Sequence, residues 1–477
     1  MIRATSLALL LLLSAAILPT AVKADPPRQG AAGATVLGLK ELSDEETWKT
    51  MPVENRTGEP LPSWIKMIAG PMPRRAAALL HLDYVHRAKS PLDPKLRAAM
   101  RWVAAHANHC AYSEAYALAD ARRAGLGNDA IAALQRGDRS GRPASENNAL
   151  EFARKMTTAS STVTDDEFAA LVKAYGDKNT AAMVLLLACA NFQDRLLLCL
   201  GAPLEPNGPL PPIDSILVRD PNVGQGQYQQ RSVSPYSPLP KPTGNDLVED
   251  DLEWISVTYD DLQVRLERQR ARTTRVRIPT WEEVKNNRPG GAAQSQNQRP
   301  TRVVWNLVCS GYQPEMAAAW SACGRGGGTS QNQQLDRVFS NTLFWVVTRS
   351  LNCPYCMGHC EMLLETAGLS RPEIAERTRL LAGEDWSSFT SEEQHAFAFG
   401  RKLTRAPWTV STEDIQTLKR DSGPERALAI VWTSCWGNYM TRISNGFQLQ
   451  LERDNVFRDR SGAATEPAKA ATNPPKR

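Results

Sequence analysis

The sequence predicts an all-α protein built from two similar helical bundle domains. Apolar residues recur at helical spacing in several segments, strand-like alternation is nearly absent, and one part of the first half of the chain recurs in the second half. A chain of 477 residues is too long for one ordinary core and suits two domains with connecting segments.

The internal repeat is the most informative feature of the chain. Cys110-Ala-Tyr112 matches Cys353-Pro-Tyr355 at an offset of 243 positions, and residues 152–157 match residues 399–404 at an offset of 247. The second register continues through four identical pairs: Leu171 and Leu418, Gly176 and Gly423, Asn191 and Asn438, and Arg195 and Arg442. We therefore predict two copies of one helical unit, at residues 61–204 and 300–453.

The beginning of the chain has the pattern of a secretory signal peptide. Arg3 precedes an apolar run at residues 7–18, and Val22-Lys23-Ala24 resembles a cleavage site. We predict a signal peptide over residues 1–24, an N-terminal extension over residues 25–60, and an exported, periplasmic or secreted protein. The apolar run is too short to span a bilayer comfortably, so no membrane association is expected after cleavage.

Residues 205–299 are predicted to be a linker between the two domains. Ten prolines lie between Pro203 and Pro242, and residues 285–300 are polar. Between these stretches, residues 246–277 could hold a short helix and a charged run. Residues 454–477 are predicted to be a disordered tail.

Composition and missing motifs exclude several functions. Lys and Arg number 56 against 51 Asp and Glu, so a net charge of +5 gives no basic patch for nucleic acid. The sequence contains neither a GxSxG elbow nor an HExxH helix, so nothing supports a hydrolase or a zinc protease.

Helical spacing around residue 353 predicts where two helices meet. One helix ends at Asn352, and the next begins with Pro354 in its first turn and ends before Gly368. The apolar positions that predict the second helix are Met357, Cys360, Leu364 and Ala367.

Cys353 and Cys356 form a CxxC pair at the start of this predicted helix. The free N–H groups and positive dipole end of a helix stabilise a thiolate, which is the nucleophilic form of cysteine. One thiolate can attack a peroxide or a disulfide, and the other can resolve the product. His359 follows Cys356 by three residues and shares its helical face, so it can act as a proton or charge partner.

Residues 352–356 (NCPYC), His359 and the helix ending at residues 367–369 (AGL) resemble the carboxymuconolactone decarboxylase and alkylhydroperoxidase D superfamily. Residues 190–196 (ANFQDRL) in the first repeat resemble the late-helix Asn/Arg pattern of that superfamily. The resemblance implies an all-α, oligomeric protein with peroxiredoxin-type activity. It also implies that Cys356 is the peroxidatic cysteine and Cys353 the resolving one, supported by a Glu and His relay.

The sequence departs from this pattern in both repeats. In the second, Asn341 occupies the position of the family's Glu, and Cys360 occupies that of its His, which leaves only His359 one position earlier. A relay that needs a carboxylate therefore lacks one. In the first repeat, Cys110 is alone, because Ser113, Ala98 and Ala117 replace the second Cys, the Glu and the His. We expect that repeat to be a packing partner.

The functional hypothesis is an exported thiol-dependent oxidoreductase that acts through Cys356, Cys353 and His359 on a peroxide or disulfide, with an unidentified thiol reductant. We predict no cofactor. A zinc site that adds Cys360 is disfavoured, because four ligands on one helical segment crowd poorly into a tetrahedron.

Two other functions stay open at this point. In the first, the chain is a non-catalytic scaffold held by structural disulfides, for which Cys309 and Cys323 are candidates. In the second, it is a lactone decarboxylase, which would need an apolar pocket with a positioned His and Arg. The two repeats could form an intramolecular pseudo-dimer, and the chain could form a homo-oligomer.

Overall fold

A computed structural model describes residues 37–218, 258–287, 300–325, 335–383 and 385–458 of the chain. The predicted signal peptide lies outside these residues, as do most of the Pro-rich stretch and most of the predicted tail. The predicted all-α class is confirmed, since the described residues form seventeen α-helices and no strand.

Within residues 63–200 and 337–447, successive helices are joined by short connections. In chain order the helices are α1 (Asp44–Thr50), α2 (Ser63–Ala69), α3 (Pro73–Ala88), α4 (Pro94–Ala107), α5 (Ala111–Arg123), α6 (Asn128–Gln135), α7 (Ala144–Thr158), α8 (Asp165–Leu200), α9 (Tyr259–Ala271), α10 (Trp281–Asn286), α11 (Val304–Tyr312), α12 (Pro314–Arg325), α13 (Arg337–Ser350), α14 (Pro354–Thr366), α15 (Arg371–Ala382), α16 (Ser391–Arg405) and α17 (Thr412–Phe447).

The helix order of α2–α8, the first unit, recurs in α11–α17, the second unit. Four pairs have equal lengths: α4 and α13 have 14 residues, α5 and α14 have 13, α7 and α16 have 15, and α8 and α17 have 36. Both long helices bend at a glycine, with φ of 77° at Gly176 and 79° at Gly423. Only glycine adopts such angles without strain, which explains why the repeat register keeps both residues.

The two units share one continuous core and do not have separate ones. α8 packs along α17, and α3 packs along α12. Phe192 on α8 meets Trp320 and Trp432 of the second unit edge-to-face, with ring centroids 5.2 and 5.3 Å apart. The prediction of two bundles therefore needs one correction: in the described residues, one core runs through both units, and each long helix packs on the other long helix as well as on helices of its own unit.

Two buried arginines cross between the units in a reciprocal arrangement. Arg195 on α8 donates to the carbonyl oxygen of Thr404 in the last turn of α16, at 2.8 Å. Arg442 on α17 donates to the carbonyl oxygens of Met156 and Thr157 in the last turn of α7, at 3.0 and 2.9 Å. The last carbonyls of a helix have no partner within it and carry its negative dipole end, so each guanidinium stabilises a helix of the other unit.

An asparagine one turn before each arginine completes the same motif. Asn191 accepts from Arg195 and donates to the Thr157 hydroxyl, and Asn438 accepts from Arg442 and donates to the Thr404 hydroxyl. These residues are the Asn/Arg pairs of the sequence repeat. Their spacing of four residues places each pair on one helical face.

The predicted linker over residues 205–299 is wrong at its start, and the short helix expected within residues 246–277 is present as α9. Residues 205–218 pack on the first unit, with Ile213 and Ser215 buried. α9 begins at a capping box formed by Thr258 and Asp261, and it buries Leu262 and Leu266 against the second unit. Two apolar residues four positions apart are enough to dock a short helix, although the average composition of the stretch is polar.

Among the described residues, one helix is long and apolar enough to cross a membrane by length and composition alone, namely α8. Its most apolar window is 89% buried within the protein. That burial is typical of a core helix.

We expect Arg442→Met to destabilise the fold. It leaves the Met156 and Thr157 carbonyls buried without a donor, so the free energy of unfolding should fall by about 2–4 kcal/mol. Denaturant unfolding followed by circular dichroism measures the change. Arg122→Met, at an exposed position on α5, is the control and should stay within about 0.5 kcal/mol of wild type. Equal stability of the two variants would contradict the role given to Arg442.

Candidate functional site

The CxxC pair lies where the sequence places it, at the start of a helix. Asn352 has a φ of 49°, which turns the chain sharply after α13. Asparagine tolerates this left-handed conformation better than most residues. Cys353 is then the N-cap of α14, and Pro354 occupies the first turn. The predicted helix boundary is confirmed.

Both thiols of the pair are buried, with Cys353 1% and Cys356 2% exposed. Burial raises the pKa of Cys353 well above its ordinary value, and the neighbouring Cys356 raises it further. This direction is opposite to the one expected from a helix N-terminus alone. The reason is that removal of water disfavours a thiolate more than the helix dipole favours it.

Cys356 has a partner on the last long helix. Its thiol donates a hydrogen bond to the Ser444 hydroxyl on α17, at 3.2 Å. Cys360 lies one turn further along α14, fully buried, and burial raises its pKa. All nine cysteines are free thiols, so the structure contains neither a Cys353–Cys356 nor a Cys309–Cys323 disulfide.

His359 is paired with a carboxylate that the sequence analysis missed. Its Nε2 lies 2.6 Å from Oε2 of Glu452, and both side chains are less than 10% exposed. Because an ionised carboxylate only accepts hydrogen bonds, Nε2 carries a proton. Tyr355 and Phe457 pack against the His359 ring and hold its orientation.

Glu452 also joins α11 to α14. Its Oε1 accepts from the backbone N–H of Val304 at 2.7 Å and from the Tyr355 hydroxyl at 3.2 Å. Burial raises the pKa of Glu452, but the His359 charge and the hydrogen bonds from His359 and Val304 outweigh it, so the net pKa is lowered. Glu452 is therefore a carboxylate at neutral pH.

The expectation that the second unit lacks a relay carboxylate is thus wrong. Asn341 does replace the family's Glu, but Glu452 brings a carboxylate to His359 from the segment after α17. A local motif could not reveal it, because 93 positions separate the two residues.

The same arrangement occurs in the first unit with one substitution. Glu205, 247 positions before Glu452, accepts from the backbone N–H of Ser63 at 2.8 Å and from the hydroxyls of Tyr112 and Tyr116, at 2.5 and 2.8 Å. Tyr116 takes the place of His359, since the two lie 243 positions apart. The first unit therefore holds its carboxylate with two phenols and has no imidazole there.

The position of Cys356 in the first unit is occupied by Ser113. Its hydroxyl oxygen accepts from Arg101 at 2.8 Å and from the Cys110 thiol at 3.4 Å. Burial raises the pKa of Cys110 to about 12, and Asp194 raises it too. Ala98 and Ala117 line a small cavity of about 40 Å³ beside Ser113.

Residues 449–458 follow α17 and cover α14. Leu451 packs so closely on Gly358 that a Cβ there would lie 2.5 Å from a Leu451 methyl group. The Asn455 side chain donates to the Met362 carbonyl at 2.8 Å, and Phe457 packs on His359. The predicted disordered tail, which starts at residue 454, therefore begins too early.

Within the described ranges, no group of three or more His, Cys, Asp or Glu side chains has an arrangement that could hold a metal ion. The CxxC pair, His359 and Cys360 do not form such a group.

Residues 73–155 match the model of the carboxymuconolactone decarboxylase family. The matched segment begins at the first residue of α3 and ends in α7, so the first unit carries the similarity. Cys353, Cys356 and His359 lie outside it. A comparison with curated proteins gave no match.

We expect Glu452→Gln to lower stability in a pH-dependent way. The lowered pKa of Glu452 means that its contribution is complete above its ordinary value of 4.5 and is lost as the pH falls through the lower folded value. The variant should lose about 2 kcal/mol at pH 7 and approach wild type near pH 3. Urea unfolding between pH 3 and 7 measures this, with Glu315→Gln at an exposed position as control. A pH-independent difference would contradict the interpretation.

Proposed function

We propose that the protein is an exported, thiol-dependent oxidoreductase of the peroxiredoxin type. Its second unit is the catalytic one. The observation that carries the proposal is the buried contact between His359 and Glu452. His359 lies on the helix that begins at the CxxC motif, and Glu452 reaches it from the segment after α17. A histidine held by a carboxylate one turn after a thiol is a suitable proton acceptor for that thiol.

Cys356 is the proposed nucleophile. His359 takes the Cys356 proton, and the thiolate attacks the outer oxygen of a hydroperoxide, so that the O–O bond breaks and an S–O bond forms. The proton returns to the leaving alkoxide, which departs as an alcohol and leaves a sulfenic acid on Cys356. Ser444 orients the thiol before attack through its hydrogen bond.

Cys353 is the proposed resolving residue. Its thiol attacks the sulfenic sulfur of Cys356, water leaves, and a disulfide forms, which an external dithiol then reduces. The raised pKa of Cys353 supports this division of roles, because the resolving thiol must stay protonated while Cys356 reacts. The short CxxC spacing keeps the two sulfurs adjacent.

Burial of the pair sets a condition on this chemistry. Since both thiols are nearly inaccessible, a peroxide reaches Cys356 only when the local packing opens. The same burial favours the alternative of a non-catalytic scaffold, although one without disulfides. The buried contact of His359 with the Glu452 carboxylate speaks for catalysis, since burial of such polar groups is costly for a scaffold.

Decarboxylation of a lactone is less well supported. The cavity of the first unit does contain a histidine and arginines, as such an enzyme needs. Its volume of about 40 Å³, however, is far below the roughly 300–1,000 Å³ of ordinary small-molecule sites.

Glu452→Gln tests the proposed relay. The amide keeps the shape but loses the charge that orients His359, so kcat/KM with cumene hydroperoxide and dithiothreitol should fall by about 10- to 100-fold. Glu205→Gln is the matched control, because it removes the equivalent carboxylate from the unit that lacks the thiol pair. It should leave kcat/KM unchanged. Equal activity of the two variants would refute the relay.

Cysteine variants test the chemistry itself. Cys353→Ser should accumulate a sulfenic acid on Cys356, seen by mass spectrometry as a dimedone adduct, and Cys356→Ser should form none on Cys353. If the wild-type protein forms no Cys353–Cys356 disulfide with excess peroxide, the proposal is refuted and the non-catalytic scaffold is favoured.

A further inference from the structure

The small cavity of the first unit is surrounded by charged and polar side chains that the thiol chemistry does not use. It lies between α3, α4, α5 and α8, and its volume of about 40 Å³ has room for about three water-sized spheres. Ser113, Ala98 and Ala117 line it, and these are the positions where the resembled superfamily has a cysteine, a glutamate and a histidine. Because alanines replace the larger glutamate and histidine side chains at two of these positions, a cavity remains there.

His86 lines this cavity without a hydrogen-bond partner. Its side chain is 96% buried (4% exposed), and neither Nδ1 nor Nε2 contacts any donor or acceptor of the described residues. A buried imidazole that makes no hydrogen bond is destabilising by several kcal/mol unless something in the cavity satisfies it. Burial lowers the pKa of His86 to about 3, so the ring is neutral and offers one donor and one acceptor.

One arginine at the cavity makes no close ion pair. Arg87 pairs with Asp83 and Asp120, and Arg101 pairs with Asp194. Arg97 also lines the cavity, yet in the described part of the chain no carboxylate oxygen lies within 4.0 Å of its guanidinium. Asp120, Asp93 and Asp83 act on Arg97 only at longer range, so its guanidinium is free to bind an anion in the cavity.

We propose that this cavity binds a small monovalent oxyanion of the carboxylate type, with Arg97 as its counter-charge and the neutral His86 ring as its hydrogen-bond donor. The volume fits a carboxylate group with few further atoms, and the one arginine without a close ion pair fits a monoanion better than a phosphate dianion. Ser113 supplies a third contact: its oxygen already accepts from Arg101 and Cys110, so its own proton is available to the anion. This site is independent of the thiol chemistry of the second unit.

Calorimetry with the whole mature chain tests the proposal. Sodium formate and sodium acetate are titrated at pH 7 and constant ionic strength, with chloride as the balancing salt and benzoate as an anion too large for the cavity. We expect one saturable site for formate and acetate and no heat from benzoate. Arg97→Met should weaken formate binding by about tenfold or more, whereas Lys95→Met, which removes the same charge from an exposed position on α4, should not change it.

A second variant covers the case in which Arg97→Met does not fold. Ala98→Leu fills the cavity and keeps every charge, so it should abolish formate binding. Absence of saturable binding by wild type would mean that the cavity holds water only and would overturn the proposal. Equal binding by the Arg97 and Lys95 variants, or binding retained in Ala98→Leu, would overturn it as well.

Discussion

The exchange of two arginines between the units is the interaction on which the rest of the structure depends. Arg195 and Arg442 are both buried, and burial lowers the pKa of each. Their partners are the last carbonyls of α16 and α7. Each guanidinium also donates to the asparagine one turn before it, but the helix end that it caps lies in the other unit, so two sequence copies give one folded body.

This crossing also positions the candidate site. Arg442 fixes α17 against the first unit, and Ser444 follows two residues later with its hydroxyl on Cys356. α17 then ends at Phe447, and the chain turns back so that Glu452 reaches His359. Arg442 at the interface between the units and Ser444 at the Cys356 thiol are thus two residues apart on one helix. Packing between the units and the geometry of the site cannot be changed separately.

Local pattern was enough to predict the fold class, the boundary between α13 and α14, and the position of the CxxC pair. It was not enough for properties that depend on distant residues. The burial that raises the pKa of Cys353 comes from the surrounding helices, and an argument from the helix end alone does not include it.

Glu452, however, could have been predicted from the sequence. Extending the first repeat by one residue beyond Leu204 aligns Glu205 with Glu452, and a carboxylate kept in both copies indicates a buried partner. The short helix expected within residues 246–277 is present as α9, but its packing on the second unit was not predicted, because the polar average composition of the stretch hides two leucines.

The long separations along the chain between Arg442 and Thr157 (285 positions) and between Glu452 and His359 (93 positions) have a consequence for synthesis. A growing chain emerges from its N-terminus, so α7 leaves the ribosome long before the residue that satisfies its last carbonyls. The last carbonyls of α7 therefore lack their Arg442 partner until α17 has been synthesised. His359 likewise stays without its carboxylate until a few residues later. The contact of His359 with Glu452 beside the CxxC pair can therefore form only after residue 452 has left the ribosome, so shorter nascent chains cannot contain it.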